Sequence, residues 1–174
     1  MEPVGTKLVG RPWLVLRGRE LQAVLWNGPV LELEGRRALE RLGPDIMDEH
    51  PDLGAMIRRF RAADQDRELG DALLDQRLVA GIGNMWKAEA LFLAGVSPWR
   101  RLCGLTDDVL SRVLEAGAGA MRARREARLV YRRSGLPCRR CGATIRSRPQ
   151  GDAARTAHWC PGCQSEGGTG AASA

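Results

Sequence analysis

Four cysteines form two close pairs near the carboxyl end of the chain, Cys138 with Cys141 and Cys160 with Cys163. Two residues separate the members of each pair, and eighteen residues separate the pairs. This spacing is typical of a tetrahedral zinc site in a ribbon, because a tight turn can aim two thiolates at one ion. The alternatives are two disulfides or four unrelated thiols. The fifth cysteine, Cys103, lies in an apolar segment and is predicted to be a buried thiol.

A second candidate site lies in a glycine-containing turn between two predicted helices. The turn holds Gly81 and Gly83, and Asn84 begins the second helix. Glycine tolerates positive φ and close approach of a ligand. The free amides and the dipole at a helix N-terminus attract an anion, and Asn84 adds a side-chain donor. These residues predict a turn that positions a phosphate. They also leave open an ordinary glycine-rich hairpin of helices.

The positive charge of the chain is concentrated in one segment. Residues 122–148 contain ten arginines and one acid, Glu126, a local charge of +9 against +6 for the 174-residue chain. Such clustering favours a phosphate-binding surface, with a solvated helix face as the alternative. The first residues lack the basic and apolar pattern of a signal peptide, and no apolar run is long enough to span a membrane. An odd number of cysteines fits a reducing compartment. A soluble, cytoplasmic protein is therefore expected.

The pattern along the chain predicts strands first and helices afterwards. Strands are expected at residues 13–16, 21–26 and 30–33. Apolar spacing and caps predict helices at residues 53–62, 69–79 and 85–93, and a fourth that follows the cap at Thr106 through Ala120 or as far as Val130. The residues after Gln164 are low in complexity and are expected to be disordered.

Several of these residues together resemble the formamidopyrimidine-DNA glycosylase / endonuclease VIII (Fpg/Nei) family. The first motif, similar to the helix–two-turn–helix of that family, consists of Asp75-Gln76, Val79 to Asn84, and Glu89 to Phe92. The second consists of Val130-Tyr131, Gly135, Pro137 to Gly142, Arg155, and Trp159 to Gln164. The resemblance implies an α+β fold in which a mainly helical DNA-binding domain carries a C-terminal β-hairpin zinc ribbon and follows a short remnant of β-sheet. It implies four parts: a β-sandwich remnant at 1–36, the helical domain at 37–131, the zinc ribbon at 132–164 and a disordered tail at 165–174.

The same resemblance implies roles for individual residues. One structural Zn²⁺ is held by Cys138, Cys141, Cys160 and Cys163. Asn84 contacts the DNA backbone. Gly83 in the turn and Lys87 on the second helix of the motif are predicted, from their positions there, to contact it as well. Arg155, five residues before Cys160, contacts phosphate near the extruded nucleotide and takes part in the second elimination step at an abasic site.

The catalytic amine of the family has no match in this sequence. Family members use an N-terminal proline amine, which must be unprotonated and free to form an imine. Here the sequence begins Met1-Glu2-Pro3, so the nitrogen of Pro3 lies in a peptide bond. The resemblance therefore implies a base-excision DNA glycosylase with abasic-site lyase activity, and the missing amine favours an alternative, a non-catalytic DNA-binding fragment or degenerate paralogue. A zinc ribbon that contacts RNA or protein is a third interpretation. The expected partner is double-stranded DNA with damaged bases or abasic sites, bound by a monomer associated with the nucleoid.

Overall fold

The computed structural model describes residues 2–3, 12–26, 37–123 and 128–165. The chain divides into two compact units, Met1–Ala38 and Leu39–Ala174. The strand predicted at residues 30–33 and the predicted disordered tail beyond Ser165 lie outside the described residues. Among the helices that the structure describes, none has the length and apolar character needed to cross a membrane.

The first unit contains a small antiparallel sheet. Its strands are β1 (Glu2–Pro3), β2 (Leu14–Arg17) and β3 (Leu21–Leu25), in the order β1-β3-β2. Leu14 pairs with Leu25 and Arg17 with Gln22, so β2 and β3 form the hairpin that the sequence predicts. The prediction of strands at 13–16 and 21–26 is confirmed to within one residue at each end.

The second unit is mainly helical in its first part. A short helix, α1 (Arg37–Glu40), crosses the boundary between the units, and α2 (Leu53–Ala62), α3 (Leu69–Ala72), α4 (Asn84–Leu93) and α5 (Asp107–Arg122) follow. Asp52 caps α2 by accepting a 2.8 Å hydrogen bond from the Ala55 amide. Thr106 caps α5, as the sequence predicts. Helix α5 ends at Arg122, so the longer extension to Val130 is wrong.

The helix predicted over residues 69–79 is mostly wrong, because only α3 forms there. Residues 74–80 turn and pair with residues 43–46 instead: the Gly43 amide donates to Gln76 O (2.8 Å) and the Ala80 amide to Pro44 O (3.0 Å). The leucines responsible for the helical spacing still enter the core, where Leu69 and Leu73 are buried. Pairing across the chain therefore overrides the local periodicity.

Helix α4 lies between two apolar clusters. Its Ala90 and Leu91 belong to the main helical core, which also contains α2, α3 and α5. Its Ala88 and Phe92 pack in a second cluster with Val130, Ile145, Cys138 and Cys160 of the C-terminal part. As a result all six residues 87–92 are buried. The C-terminal part shares its core with the helices and does not form a separate body.

The C-terminal part is a ribbon built on one hairpin. Strands β4 (Arg146–Gln150) and β5 (Arg155–Trp159) are antiparallel, with Arg146 opposite Trp159 and Gln150 opposite Arg155. The α+β architecture that the sequence predicts, with helices, small antiparallel hairpins and a C-terminal cysteine-rich part, is confirmed. The predicted burial of Cys103 is wrong: a 3₁₀ turn at Leu102–Gly104 turns Leu102 into the core and leaves Cys103 exposed.

Candidate metal centre and nucleic-acid interface

The four paired cysteines form one compact cluster. Their Sγ atoms all lie within 4.8 Å of one another, with 3.9 Å between Cys138 and Cys163 and 3.4 Å between Cys141 and Cys160. All four are free thiols, so the alternative of two disulfides is wrong. A tetrahedral ion with metal–sulfur bonds of about 2.3 Å requires sulfur atoms about 3.8 Å apart. The donor set therefore fits a thiolate-binding metal ion.

The backbone around the cluster is shaped to bring the sulfurs together. A Cβ added to Gly162 would lie 2.9 Å from the Sγ of Cys141, so a side chain at this position would displace a metal-binding sulfur. The Cys160 amide donates to Gln164 Oε1 (2.9 Å), and Gln164 Nε2 donates to Val96 O (2.9 Å). Gln164 thereby fastens the second cysteine turn to the segment that follows α4.

A second fastening holds the first cysteine turn and the segment that leads into it. Buried Glu89 of α4 accepts hydrogen bonds from the amides of Leu129 (2.8 Å), Val130 (3.0 Å) and Tyr131 (2.9 Å). Arg140 stacks over the Phe92 ring at 4.5 Å. The ribbon is thus attached to α4 at more than one point, which fixes its hairpin relative to the helices.

The glycine turn before α4 is held by one side chain. Gln76 Oε1 accepts from the Gly81 amide (2.9 Å), and Gln76 Nε2 donates to Ile82 O (3.0 Å) and Leu74 O (3.3 Å). Gly81 has a φ of 94°, a conformation that favours glycine. Gly83 is the N-cap of α4 and supplies no side chain. The amides of the first turn of α4 therefore have no helical acceptor and are available to an anion.

The hairpin brings Arg155 to this helix N-terminus. Asn84 Nδ2 donates a 3.0 Å hydrogen bond to the carbonyl of Thr156, the neighbour of Arg155. An open cavity of about 490 Å³ lies between the two elements. Its lining consists of Arg67, Asp71, Leu74, Asp75, Gln76, Ile82, Gly83, Asn84, Ala153 and Arg155. The structure thus brings three of the predicted site residues, Gly83, Asn84 and Arg155, to one cavity.

Lys87, the fourth predicted DNA-binding residue, is not at the surface. It is 1% exposed, and its Nζ has no hydrogen-bond partner among the described residues. Burial lowers the pKa of Lys87 to about 8; the charge of Asp71 acts against this shift and that of Arg155 adds to it. Burial, with the charge of Lys87, also lowers the pKa of His158 on β5. Lys87 therefore places a titratable charge within electrostatic reach of Asp71 and Arg155, which line the cavity.

An acidic and basic network, of which Arg67, Asp71 and Asp75 line the same cavity as Arg155, lies beside the hairpin tip. Asp75 pairs with Arg77 (2.8 Å) and Arg67 (3.0 Å), and the hydrogen bond from Arg77 holds the pKa of this carboxyl well below its usual range. Arg67 also donates to Asp71 Oδ2 through Nη2 (2.8 Å) and Nε (3.1 Å). Gly151, at the tip of the hairpin, lies against Asp71, and an added Cβ would be 2.7 Å from Asp71 Cγ. The network therefore supports the tip that carries Arg155.

The arginine-rich segment is only partly a free basic surface. Arg124 and Arg125 lie outside the described residues. Arg148 stacks over the Trp99 ring at 3.6 Å. Arg128 and Arg132 each lie 5.5 Å from the centre of the Tyr131 ring. Several arginines therefore pack the ribbon against aromatic rings, and charge counting alone does not separate these from the exposed ones.

Three polar residues of the site belong to the quoted motifs but had no individual role in the sequence predictions: Gln76, Glu89 and Gln164. Each makes its hydrogen bonds to backbone groups. Those of Glu89, and the bond from Gln164 to Val96 O, reach segments 40 or more residues away. A polar residue inside an otherwise apolar helix, as Glu89 is, was the available signal for a buried acceptor. No comparable local signal marks Gln164.

Comparison with known families and proteins gives a consistent result. Residues 42–125 match the family described as the formamidopyrimidine-DNA glycosylase H2TH domain. The chain is 37% identical over 169 residues to the probable endonuclease 8 2 of Streptomyces coelicolor, covering 87% of this chain and 61% of that protein. It is 36% identical over 169 residues to the DNA-(apurinic or apyrimidinic site) lyase Nei2 of Mycolicibacterium smegmatis, covering 87% and 65%.

Solved structures show the same similarity. The MutM (Fpg) protein of Thermus thermophilus superposes with a TM-score of 0.65 at 31% identity, over 86% of this chain and 62% of that chain. The Lactococcus lactis formamidopyrimidine-DNA glycosylase, bound non-covalently to DNA containing an AP site, superposes with a TM-score of 0.60 at 27% identity, over 74% and 51%. This chain spans about 60% of the length of the curated relatives that it matches.

Proposed function

This chain belongs to the formamidopyrimidine-DNA glycosylase / endonuclease VIII family, and on that basis we propose that it binds damaged double-stranded DNA in base-excision repair. The activity that family membership favours is that of a DNA glycosylase with abasic-site lyase activity. Because the chain spans about 60% of the length of its relatives, the roles that we propose for it belong to its described residues.

One observation carries the proposal: the N-terminus of α4 and the tip of the hairpin face the same cavity. Gly83 and Asn84 line one side of it and Arg155 lines another. The first amides of α4 and the Arg155 guanidinium all favour a phosphate group at this position. We assign this cavity to the sugar–phosphate backbone, with amides that fix its position and an arginine that clamps it.

The roles of Arg155 and Lys87 differ in this proposal. Arg155 is exposed, and the planar guanidinium suits a phosphate clamp better than a proton donor. Its part in the second elimination step remains a prediction from the family resemblance. Lys87 is buried, so it acts on the bound phosphate through its charge rather than by direct contact.

The metal proposed for the four-cysteine cluster is one structural zinc ion. Four thiolates at tetrahedral separation are the preferred ligand set of zinc in ribbons, and no position is left for water or substrate. Cys138, Cys141, Cys160 and Cys163 would hold the ion. Its contribution is to keep the ribbon folded, so that the hairpin presents Arg155 at the cavity.

A second candidate function is DNA binding without catalysis, and one observation favours it. Imine formation at an abasic site requires an accessible, unprotonated amine. The sequence contains two lysines, of which Lys7 lies outside the described residues and Lys87 is buried. A side-chain amine at the surface is therefore missing from the described part of the chain. We further propose that the protein acts as a monomer inside the cell.

DNA titrations at several salt concentrations test the shared part of both functions. We expect the affinity for an abasic duplex to fall linearly with salt on logarithmic axes, because bound phosphates release counterions. A binding constant that does not change with salt contradicts the assignment of the cavity. Borohydride trapping on the same duplex then separates the two functions: a covalent adduct supports the lyase, and binding without an adduct supports the non-catalytic function.

A further inference from the structure

Gln76 controls the orientation of two peptide planes in the turn before α4. Its Oε1 accepts from the Gly81 amide at 2.9 Å, and its Nε2 donates to Ile82 O at 3.0 Å. The Ile82 carbonyl belongs to the same planar peptide as the Gly83 amide, and the two groups point in opposite directions in a trans peptide. A hydrogen bond that fixes the Ile82 carbonyl therefore fixes the direction of the Gly83 N–H as well.

The turn needs such an external restraint because its own residues supply little. Gly81 and Gly83 have no side chains, and glycine has the largest range of backbone conformations. Gly83 caps α4 without a side-chain hydrogen bond. The peptide between Ala80 and Gly81 is held on both sides, by Gln76 and by the Ile46 amide, which donates to Ala80 O (3.1 Å). The peptide between Ile82 and Gly83 depends on Gln76 alone among the side chains whose hydrogen bonds to it are described.

We propose that Gln76 is a positioning residue for the DNA phosphate: its side-chain amide aims the amides at the start of α4 into the cavity shared with Arg155. Gln76 itself lines that cavity. This inference depends on the proposed function, because it assigns Gln76 to the same phosphate. It adds that a residue outside α4 sets how tightly the N-terminus of α4 binds phosphate, because Gln76 precedes the turn and acts through the backbone of that turn.

A second glutamine provides a matched control for the structural part of this effect. Gln65 is half-buried, like Gln76, and its Nε2 donates to the carbonyls of Phe60 (2.9 Å), Arg61 (3.0 Å) and Ala63 (2.8 Å) at the end of α2. It does not line the cavity. Replacing either glutamine removes three hydrogen bonds to backbone groups, but only Gln76 restrains the turn before α4.

The test compares Gln76→Met and Gln65→Met in the full chain. Thermal unfolding is expected to shift by similar amounts in the two variants. Binding to a short duplex with a tetrahydrofuran abasic analogue is expected to weaken roughly tenfold in Gln76→Met, about the value of one charge-assisted hydrogen bond, and to stay unchanged in Gln65→Met. In ¹H–¹⁵N spectra the Gly83 amide should shift on DNA addition in the wild type and shift less in Gln76→Met.

Combining Gln76→Met with Asn84→Ala separates positioning from general weakening. If both residues act on one phosphate, the double variant loses less affinity than the product of the single losses. Gln76→Glu serves if Gln76→Met does not fold, because it keeps an acceptor for Gly81 and loses the donor to Ile82. Its loss of affinity should persist at high salt, whereas simple repulsion of DNA by the new charge would be screened.

The outcomes distinguish the inference from the function on which it rests. If the wild type does not bind the duplex with a salt-dependent affinity, the proposed function fails. If the wild type binds and Gln76→Met binds equally well, the function stands and the inference is overturned. Equal losses in Gln76→Met and Gln65→Met also overturn it, since the effect would then follow stability alone.

Discussion

Replacing Gly151 by alanine should weaken DNA binding without removing the metal. Gly151 has a φ of 65°, which costs an alanine about 1 kcal/mol. The new Cβ would clash with Asp71 Oδ1 and would lie 2.7 Å from Asp71 Cγ, whereas ordinary contacts begin at 3.4 Å. The hairpin tip or the carboxylate must therefore move by at least 0.7 Å, the difference between these two distances. Asp71 is held by two hydrogen bonds from Arg67, so the tip is expected to move.

Movement of the tip reaches Arg155, which begins the returning strand only four residues after Gly151. A displaced guanidinium loses a charge-assisted contact worth about 1.5–3 kcal/mol. We therefore expect DNA affinity to fall about 10- to 100-fold. Fluorescence anisotropy with an abasic duplex measures this loss, and metal analysis should still give one zinc per chain.

Gly135→Ala is the matched control for this experiment. Gly135 has a φ of 82°, and an added Cβ there would meet no atom within 4 Å. The control thus carries the backbone strain of the test variant without its clash. We expect both variants to lose about 1 kcal/mol of stability from strain, and only Gly151→Ala to lose affinity. Equal affinities in the two variants would refute the claim that the contact between Gly151 and Asp71 positions Arg155.

Two further predictions concern the ribbon and the buried lysine. Cys160→Ala should lose the metal, and loss of the metal should remove on the order of 10 kcal/mol of folding free energy and uncover Ala88 and Phe92 of α4, so that thermal unfolding of the helical part also becomes broader. Zinc analysis and circular dichroism measure these effects, with Cys103→Ser as the control. A full complement of zinc in Cys160→Ala would show that the ligand set is wrong. Lys87→Met should raise the free energy of unfolding at pH 7 by up to about 3 kcal/mol, because burial lowers the pKa of Lys87 from 10.5 to about 8. Between pH 8 and pH 10.5 the unfolded chain therefore binds more protons than the folded chain. The wild type should accordingly gain stability as pH rises from 8 to 10.5 and the variant should not; parallel urea-unfolding profiles of the two proteins would contradict this.

The sequence predicted those parts of the site that depend on local signals. The cysteine spacing indicated one cluster, and the glycines before Asn84 indicated the start of α4, because close spacing and helix caps act over a few residues. The convergence of Asn84 and Arg155, 71 positions apart, came from the family resemblance and not from any local pattern. In the structure this convergence depends on one hydrogen bond from Asn84 and on the fastening of the ribbon to α4.

The errors in the sequence predictions have a common physical origin. Leu69, Leu73 and Leu78 have the spacing of a helix, yet the backbone between them pairs with residues 43–46. Lys87 was predicted to contact the DNA backbone, and the structure buries it within electrostatic reach of Arg155 and His158 of the hairpin, about 70 residues later. In both cases a partner distant in sequence decides the conformation or burial, and no local pattern reports such a partner.

The position of α4 between two clusters has a consequence for its tolerance to substitution. An ordinary surface helix accepts changes with a 3.6-residue rhythm, since one side meets solvent. In α4 the six consecutive positions from Lys87 to Phe92 are enclosed, so a saturation scan should show an unbroken block of sensitive sites there. Natural variation in this stretch would then require compensating changes in both clusters at once. A chimaera that takes its ribbon from a relative should fold only when it takes α4 from the same relative.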